Sequence, residues 1–334
     1  MAEELQSSFG EGEGKLLKFS YPKPLPMRLD RWLTSQRSEQ SRARIQKFID
    51  AGFVRVNGVQ GQAKTPLREG DEIELWMPPP EPLPYLQPER MELNVLFEDE
   101  HIIVLNKPSG VAVHPSPGHK QGTLVNGLLY HCSDLPGISG KLRPGIVHRL
   151  DKDTTGCIVV AKSQMALVKL QVQIQKRIAS RNYIAVVHGL PKSEEGTIIA
   201  PIGRHPNDRK KYAVVSHDKG RYACTHWQLL ERLDDYSLMS FKLETGRTHQ
   251  IRVHCAYTGH PIVGDPTYSR CRKLPIHLSG QMLHASKLGL NHPITNTRME
   301  FEAPLPELLE RLLMVLRKRK ANSTTQWEPG TNIN

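Results

Sequence analysis

The stretch Gly145-Ile146-Val147-His148-Arg149-Leu150-Asp151-Lys152-Asp153-Thr154-Thr155-Gly156 decides how the rest of the chain is read. It gathers a histidine, an arginine, two aspartates and two threonines directly before the apolar run Cys157–Ala161. A polar cluster entering an apolar strand is common at active sites, where reactive groups ride on a loop held by a rigid scaffold. Asp, Thr and Gly are also ordinary turn residues. The stretch alone therefore leaves a catalytic loop and a simple turn both open.

Outward from it, short β-like runs recur: His101–Leu105, Tyr183–Val187 and Leu238–Leu243. Helical spacing appears after Ser163, a good N-cap, with Leu167, Leu170, Ile174 and Ile178 on one face. It appears again near the end, through Leu305, Leu308, Leu309, Leu312, Val315 and Leu316. Strands and helices mix without a regular βαβ alternation, which predicts an α+β fold.

Further upstream, six prolines fall within residues 78–88. Proline fixes φ and donates no amide hydrogen, so this segment is expected to be a stiff linker. Before it, Arg28–Leu33 reads as a short helix with Leu29, Trp32 and Leu33 inward. Ser41 can cap a second helix carrying Ile45, Phe48 and Ile49, closed by Gly52. Phe53–Val56 alternates like a strand, Asn57-Gly58 signals a hairpin, and Glu72–Trp76 alternates again. The expected organisation is a flexible tail over 1–24, a small domain over 25–77, the linker over 78–88, a larger domain over 89–320 and a polar tail over 321–334.

Lys plus Arg number 45 and Asp plus Glu 34, so 45 − 34 gives a net charge of +11. Such an excess points to a polyanion partner. Residues 28–69 hold nine basic and four acidic side chains, a net of 9 − 4 = +5. Arg42, Arg44 and Lys47 crowd the second helix and leave its apolar stripe clear. There is no long apolar run, so a transmembrane helix is excluded. Residues 1–14 are acidic, without the apolar core of a secretory signal. Five cysteines without a C-x-x-C pair argue against a disulfide framework or zinc ribbon. The expectation is a cytoplasmic protein with no membrane partner and no metal site.

Two families share features with the decisive stretch. Asp151, Asp153 and Thr155 fit the D-x-D-x-T spacing of haloacid-dehalogenase-type phosphatases. That motif follows an uninterrupted apolar strand, whereas His148-Arg149 intervene here. Pro266 also stands where a later magnesium-binding Asp would be expected after Asp265.

Taken whole, H-R-L-D-x-x-T-x-G resembles the RluA-type pseudouridine synthases, particularly those acting on the large ribosomal RNA. Other blocks follow in that family's order. They are Asn106-Lys107-Pro108-Ser109-Gly110 with His114-Pro115, Arg181-Asn182-Tyr183-Ile184-Ala185, and Thr245-Gly246-Arg247-Thr248-His249-Gln250-Ile251-Arg252-Val253-His254. Gly259 to Tyr268 and Leu283-His284-Ala285 complete the set. The segment around Arg42–Gly58 and Leu67–Asp71 resembles the S4 RNA-binding module.

The resemblance implies a small S4 module plus a catalytic domain built on a mainly antiparallel sheet. It implies isomerisation of uridine to pseudouridine in RNA, 23S ribosomal RNA foremost, by a monomer. A tRNA substrate and a non-catalytic ribosome-assembly factor are the rival expectations. The isomerisation gains and loses no atoms, so no cofactor is expected. By the resemblance, Asp151 is the attacking carboxylate and Arg252 the guanidinium that keeps it ionised. Tyr183 stacks on the base, Arg149 fills the space left by the flipped uridine, and Leu283 walls the pocket. Arg42, Arg44 and Lys47 would contact RNA. His148 and Asp153 are read as loop-shaping. Unaided, the alternation Ile251, Arg252, Val253 also permits Arg252 on a surface strand. Arg181 stands where the family more often has lysine, a change expected to matter little. Ser269 replaces a usual glycine outside any proposed role.

Overall fold

The computed structural model describes residues 14–36, 42–77, 87–115, 121–132, 135, 144–208, 211–269 and 274–325; for 42–44 and 323–325 the description covers the backbone only. The chain divides into two compact units, Met1–Pro82 and Leu83–Asn334.

The first unit contains β1 (Lys15–Ser20), β2 (Met27–Arg28), α1 (Leu29–Gln36), α2 (Arg42–Asp50), β3 (Val54–Val56), β4 (Val59–Gln60), β5 (Pro66–Leu67) and β6 (Glu72–Met77). Four strands form an antiparallel sheet in the order β1-β6-β3-β4, and β2 pairs with β5. The apolar stripes of the two helices meet the sheet in one core: Leu29, Trp32 and Leu33, then Ile45 and Ile49, against Val54, Ile73 and Leu75. Asn57 and Gly58 both take positive φ (51° and 78°), the geometry a two-residue hairpin needs. The Asn57 amide also ties the turn down, donating to Asp71 at 2.8 Å and accepting from the Glu72 N–H at 2.9 Å.

The expected tail over 1–24 does not hold for Lys15–Ser20. These residues pair with β6 in register from Lys15↔Met77 to Ser20↔Glu72. Leu17, Phe19 and the fully buried Tyr21 join the core, with Phe19 and Tyr21 edge-on to Trp32. Residues 1–13, Ser41 and residues 78–86 of the expected 78–88 linker lie outside the described residues, and the Gln87 carbonyl accepts from the Asn126 side chain of the second unit.

The second unit holds β7 (Val95–Glu98), β8 (Ile102–Lys107), α3 (Leu124–His131), β9 (Thr155–Ala161), α4 (Gln164–Gln175), β10 (Ser180–His188), β11 (Glu195–Ile199), β12 (Ile202–Arg204), β13 (Tyr212–Val214), β14 (Cys224–Leu233), β15 (Tyr236–Leu243), α5 (Gln250–Tyr257), β16 (Leu283–Asn291), β17 (Arg298–Glu302) and α6 (Glu307–Thr325). Its main sheet runs β11-β14-β15-β10-β16-β9-β8-β7, with β17 also on β16. Every pairing is antiparallel except the short one between β16 and β9. Residues of β8, β9, β10 and β15 fill one core with α3 and α5. Others of β8, β9 and β16 pack against α4. Ser163 caps α4 by accepting from the Ala166 N–H. The last helix buries Leu309, Leu312, Leu313 and Leu316 and continues to Thr325, into the segment read as a tail.

Candidate active site

The decisive stretch forms the loop that enters β9 beside β16, and it is held from both sides. The entry point is crowded. Gly156 has φ 109°, and a Cβ there would overlap the carbonyl of Ala285. Only glycine lets β9 come alongside β16 here. Thr155 and His284 share a hydrogen bond at 2.8 Å, and Gln281 donates to Thr154 at 3.1 Å.

From the other side comes Lys107, fully buried, whose ammonium donates to the carbonyls of Pro108, Val111 and Lys152 at 2.7, 2.8 and 2.8 Å. Burial pushes its pKa down to about 7, against the opposing charges of Asp153 and Asp151. His148 folds back onto β9, its Nε2 accepting from the Val159 N–H at 3.1 Å. These contacts agree with a loop-shaping part for His148.

Asp151 stands at the cavity that this loop borders. Its Oδ2 accepts from Arg252 Nη1 at 3.0 Å. Arg252 is 4% exposed and lies in α5, so the surface-strand alternative for the Ile251–Val253 alternation is wrong. What turns the segment into a helix is polar anchoring behind it. Gln250 accepts from Thr245 and from the Arg247 N–H, and donates to the Cys224 carbonyl and Thr225. His254 bonds Thr225 and the Ala200 carbonyl.

A second carboxylate completes the arrangement, one that the sequence reading assigned no role. Asp265 takes Arg252 in a two-pronged grip, Nε at 2.7 Å and Nη2 at 2.9 Å. It also accepts from the backbone N–H groups of Thr267 and Tyr268 at 2.8 and 3.1 Å. The Arg252 guanidinium is thereby locked with one edge to Asp265 and Nη1 left for Asp151. Burial opposes its charge, but the hydrogen bond and charge of Asp265 and the charge of Asp151 outweigh this and raise its pKa. Its motif position, Gly264-Asp265-Pro266, was visible; the partnership across thirteen residues was not.

His249 was likewise passed over. It opens α5 in the left-handed region (φ 57°), a conformation that costs a non-glycine residue energy and clusters at functional sites. Its Nδ1 meets the Tyr268 hydroxyl at 2.9 Å and its Nε2 lies 4.0 Å from Asp151 Oδ1. The Tyr268 oxygen also accepts from the Tyr212 N–H at 2.9 Å, which ties the ring that holds His249 to β13. Burial lowers the pKa of the His249 imidazole, against the pull of Asp151.

Around the pair, a cavity of about 470 Å³ is lined by Arg149, Asp151, Tyr183, Arg252 and Leu283 among others. Five residues chosen from sequence thus share one site. Tyr183, 6% exposed, faces the cavity from β10, beside the point where an extra residue on β16 shifts the β10–β16 register between Asn182 and Ile184. Burial raises the pKa of its phenol. Leu283 opens β16 and is buried; Arg149 is exposed at the cavity. Lys47 is exposed on α2 of the other unit, and the side chains of Arg42 and Arg44 lie outside the described residues. Among the described residues, Glu98–His131–Cys132 and Cys224–His226–Glu244 each bring three potential metal-binding atoms together, the second sharing Glu244 with the lining of this cavity. Four buried cysteines are free thiols, and Cys271 lies outside the described residues.

Comparison with known proteins agrees with this geometry. Residues 101–257 match the family model of RNA pseudouridylate synthases, and residues 27–73 match that of the S4 domain. The chain is 50% identical over 297 residues to the uncharacterized RNA pseudouridine synthase slr1629 of Synechocystis sp., covering 88% of this chain and 90% of that one. It is 44% identical over 302 residues to the ribosomal large subunit pseudouridine synthase D of Pseudomonas aeruginosa, covering 87% and 92%. The solved structure of human RNA pseudouridylate synthase domain containing 1 aligns with TM-score 0.52 and 25% identity, over 68% of this chain and 95% of that one. With matches of this extent, and an aspartate–arginine pair at the cavity its motifs surround, the chain belongs to the RNA pseudouridine synthases and carries an S4 domain ahead of its catalytic unit.

Proposed function

We propose that this enzyme isomerises uridines of the large-subunit ribosomal RNA, in the cytoplasm and as a monomer, with Asp151 as its nucleophilic carboxylate. The observation that carries the role of Asp151 is its pairing with Arg252, itself fixed by Asp265. A carboxylate that accepts from a locked guanidinium is oriented and ready to attack. The ribosomal substrate is supported by relatives whose names specify the large subunit.

The proposed sequence of events starts with a uridine leaving the RNA stack, because its C1′–N1 bond is out of reach inside a helix. Arg149, exposed beside Asp151, takes the vacated space. The base enters between Tyr183 and Leu283. The C1′–N1 bond breaks, the base turns within the pocket, and C5 joins C1′. Arg42, Arg44 and Lys47 of the S4 domain hold the strand by its phosphates, a contact that fits any sequence.

Replacing Asp151 with alanine tests the reading: pseudouridine formation should vanish while RNA affinity stays near wild type. Pseudouridine formed by that purified variant would remove Asp151 from the mechanism. The rival substrate, tRNA, is separated by mapping pseudouridines in cells with and without the gene. Sites lost only from tRNA would overturn the ribosomal assignment. A non-catalytic assembly factor would leave every site intact.

A further inference from the structure

We propose that Arg181 is the counter-charge for the uracil ring during isomerisation, receiving the negative charge that the base acquires when its glycosidic bond is broken or its ring is attacked. The inference rests on the cavity beside Asp151 being where uridine reacts.

Arg181 is 6% exposed and lines that cavity two residues before Tyr183 on β10, so both side chains lie on the same face of the strand. Among the described residues its guanidinium has no hydrogen bond or ion pair, and its Nε is buried with no partner. Buried arginines are ordinarily paired, because an enclosed charge without a partner is costly. The two carboxylates of the cavity are already taken. Asp151 is held by Arg252, and Glu244 by Arg177 and His226. Arg149, Arg177 and Arg247 add only positive charge to the same lining.

The fold also makes room for this uncommitted cation. A Cβ at Gly246 would lie 2.6 Å from Arg181 Nη1, so the glycine of Thr245-Gly246-Arg247 lets the guanidinium pass. A second unpartnered donor lines the cavity. His148 Nε2 accepts from the Val159 N–H, which puts the ring hydrogen on Nδ1, and that atom is enclosed without a partner. Burial, with Arg181 beside it, keeps this ring neutral.

The chemistry supplies what these donors lack. If the C1′–N1 bond breaks with its electron pair left on nitrogen, the base becomes a uracil anion with charge over N1, O2 and O4. If the carboxylate adds at C6 instead, the C5=C6 pair is pushed through C4 onto O4. Both routes load the ring with negative charge. Joining C5 to C1′ then consumes the electron pair, C5 releases a proton and N1 takes one up, so no other reagent is needed. A guanidinium aimed where charge develops, in a water-poor pocket, lowers the barrier without reorganising. A backbone phosphate would have to follow the base into the pocket to reach so buried a cation.

The test compares wild type with Arg181→Met, Arg181→Lys and Arg181→Ala. Single-turnover isomerisation is followed by tritium release from uridine C5, beside RNA affinity at several salt concentrations. Arg181→Met should lose ~100-fold or more in single-turnover rate, with affinity within about threefold of wild type and its salt slope unchanged. Arg181→Lys should recover most of the rate, and ethylguanidinium should restore part of it to Arg181→Ala. A loss confined to affinity, with a shallower salt slope, would mean a phosphate ligand and overturn the proposal. A rate restored by neither lysine nor ethylguanidinium would mean a packing role and overturn it too. Should Arg181→Met fail to fold, the lysine and ethylguanidinium arms decide. Asp151→Ala in the same assay keeps the readings apart. Activity surviving there sinks the site assignment, whereas an inactive Asp151→Ala beside a fully active Arg181→Met sinks only the role of Arg181.

Discussion

The two units of this chain use basic residues in opposite ways. In the S4 unit, Arg31, Lys47, Lys64 and Arg68 are exposed, and the apolar faces of both helices are spent on the core. In the catalytic unit, Arg252 and Arg181 are more than nine-tenths buried, one gripped by two aspartates and the other left without a partner. Exposed charge in water is worth little per contact and is screened by salt. Buried charge is costly to place and strong once placed. On the proposed function the same residue type serves affinity in one unit and chemistry in the other, and the contrast can be broken by substitution.

The largest effect is expected at Asp151. Asp151→Ala should cost on the order of 10⁴-fold or more in single-turnover rate, as removal of an attacking group does, and RNA affinity measured by filter binding should barely change. If affinity collapsed together with rate, the separation of roles between the units would fail.

Next comes Asp265, whose loss should look different from that of Asp151. Asp265→Ala leaves the Arg252 guanidinium buried with half its partners gone. Breaking such a pair costs about 3–5 kcal/mol of stability, readable as a lowered melting temperature of the catalytic unit. The released guanidinium should also swing relative to Asp151 and lower the rate by ~10²-fold. Asp265→Asn, which keeps one acceptor and the shape, should fall between. A variant with full activity and an unchanged melting temperature would show that the grip on Arg252 is dispensable.

His148 offers a pH test of burial. Burial, then Arg181, pushes its pKa down to about 3, from near 6.5 in an unfolded chain. Between those values the unfolded chain binds a proton that the folded chain refuses, so stability drops as pH falls from 6.5 towards 3. His148→Gln keeps an acceptor for the Val159 N–H and removes the proton site. It should flatten that acid-side loss by on the order of 2 kcal/mol by pH 4.5, measured as the difference in unfolding free energy between pH 7 and pH 4.5. An unchanged acid limb would mean that His148 titrates freely.

Legibility followed the range of the interactions involved. Hairpin Asn57-Gly58, the cap at Ser163 and the apolar stripe of α1 are local signals, and they read correctly. In α4 the stripe holds for Leu167, Leu170 and Ile174, whereas Ile178, expected on the same face, lies past the helix end and is exposed. Asp151, Arg149, Tyr183, Leu283 and Arg252 were assembled through ordered motifs, and they line one cavity. What stayed hidden needed distance. The strand β1 forms only because β6, some fifty residues on, offers an edge to Leu17 and Phe19. Alternation suggested a strand for Ile251–Val253 because the bonds that make it a helix, through Gln250 and His254, reach back to β14. Asp265 and the solitude of Arg181 are statements about partners, and a sequence shows residues but not which of them meet.

The smallest effect should come from the exposed side. Lys47 and Lys64 are solvated, so neither should support the fold, and each should contribute to RNA binding mainly by displacing a counterion. Changing either to alanine should weaken RNA binding a few-fold near physiological salt and reduce the slope of log affinity against log salt by about one. The single-turnover rate at saturating RNA should stay within about twofold, because these side chains lie in the unit that does not carry Asp151. Measuring both quantities across salt concentrations sets the two units directly against each other. If Lys47→Ala lowered the saturating rate while leaving the salt slope alone, the S4 unit would be shaping the chemical step, and the division between exposed affinity and buried chemistry would have to be redrawn.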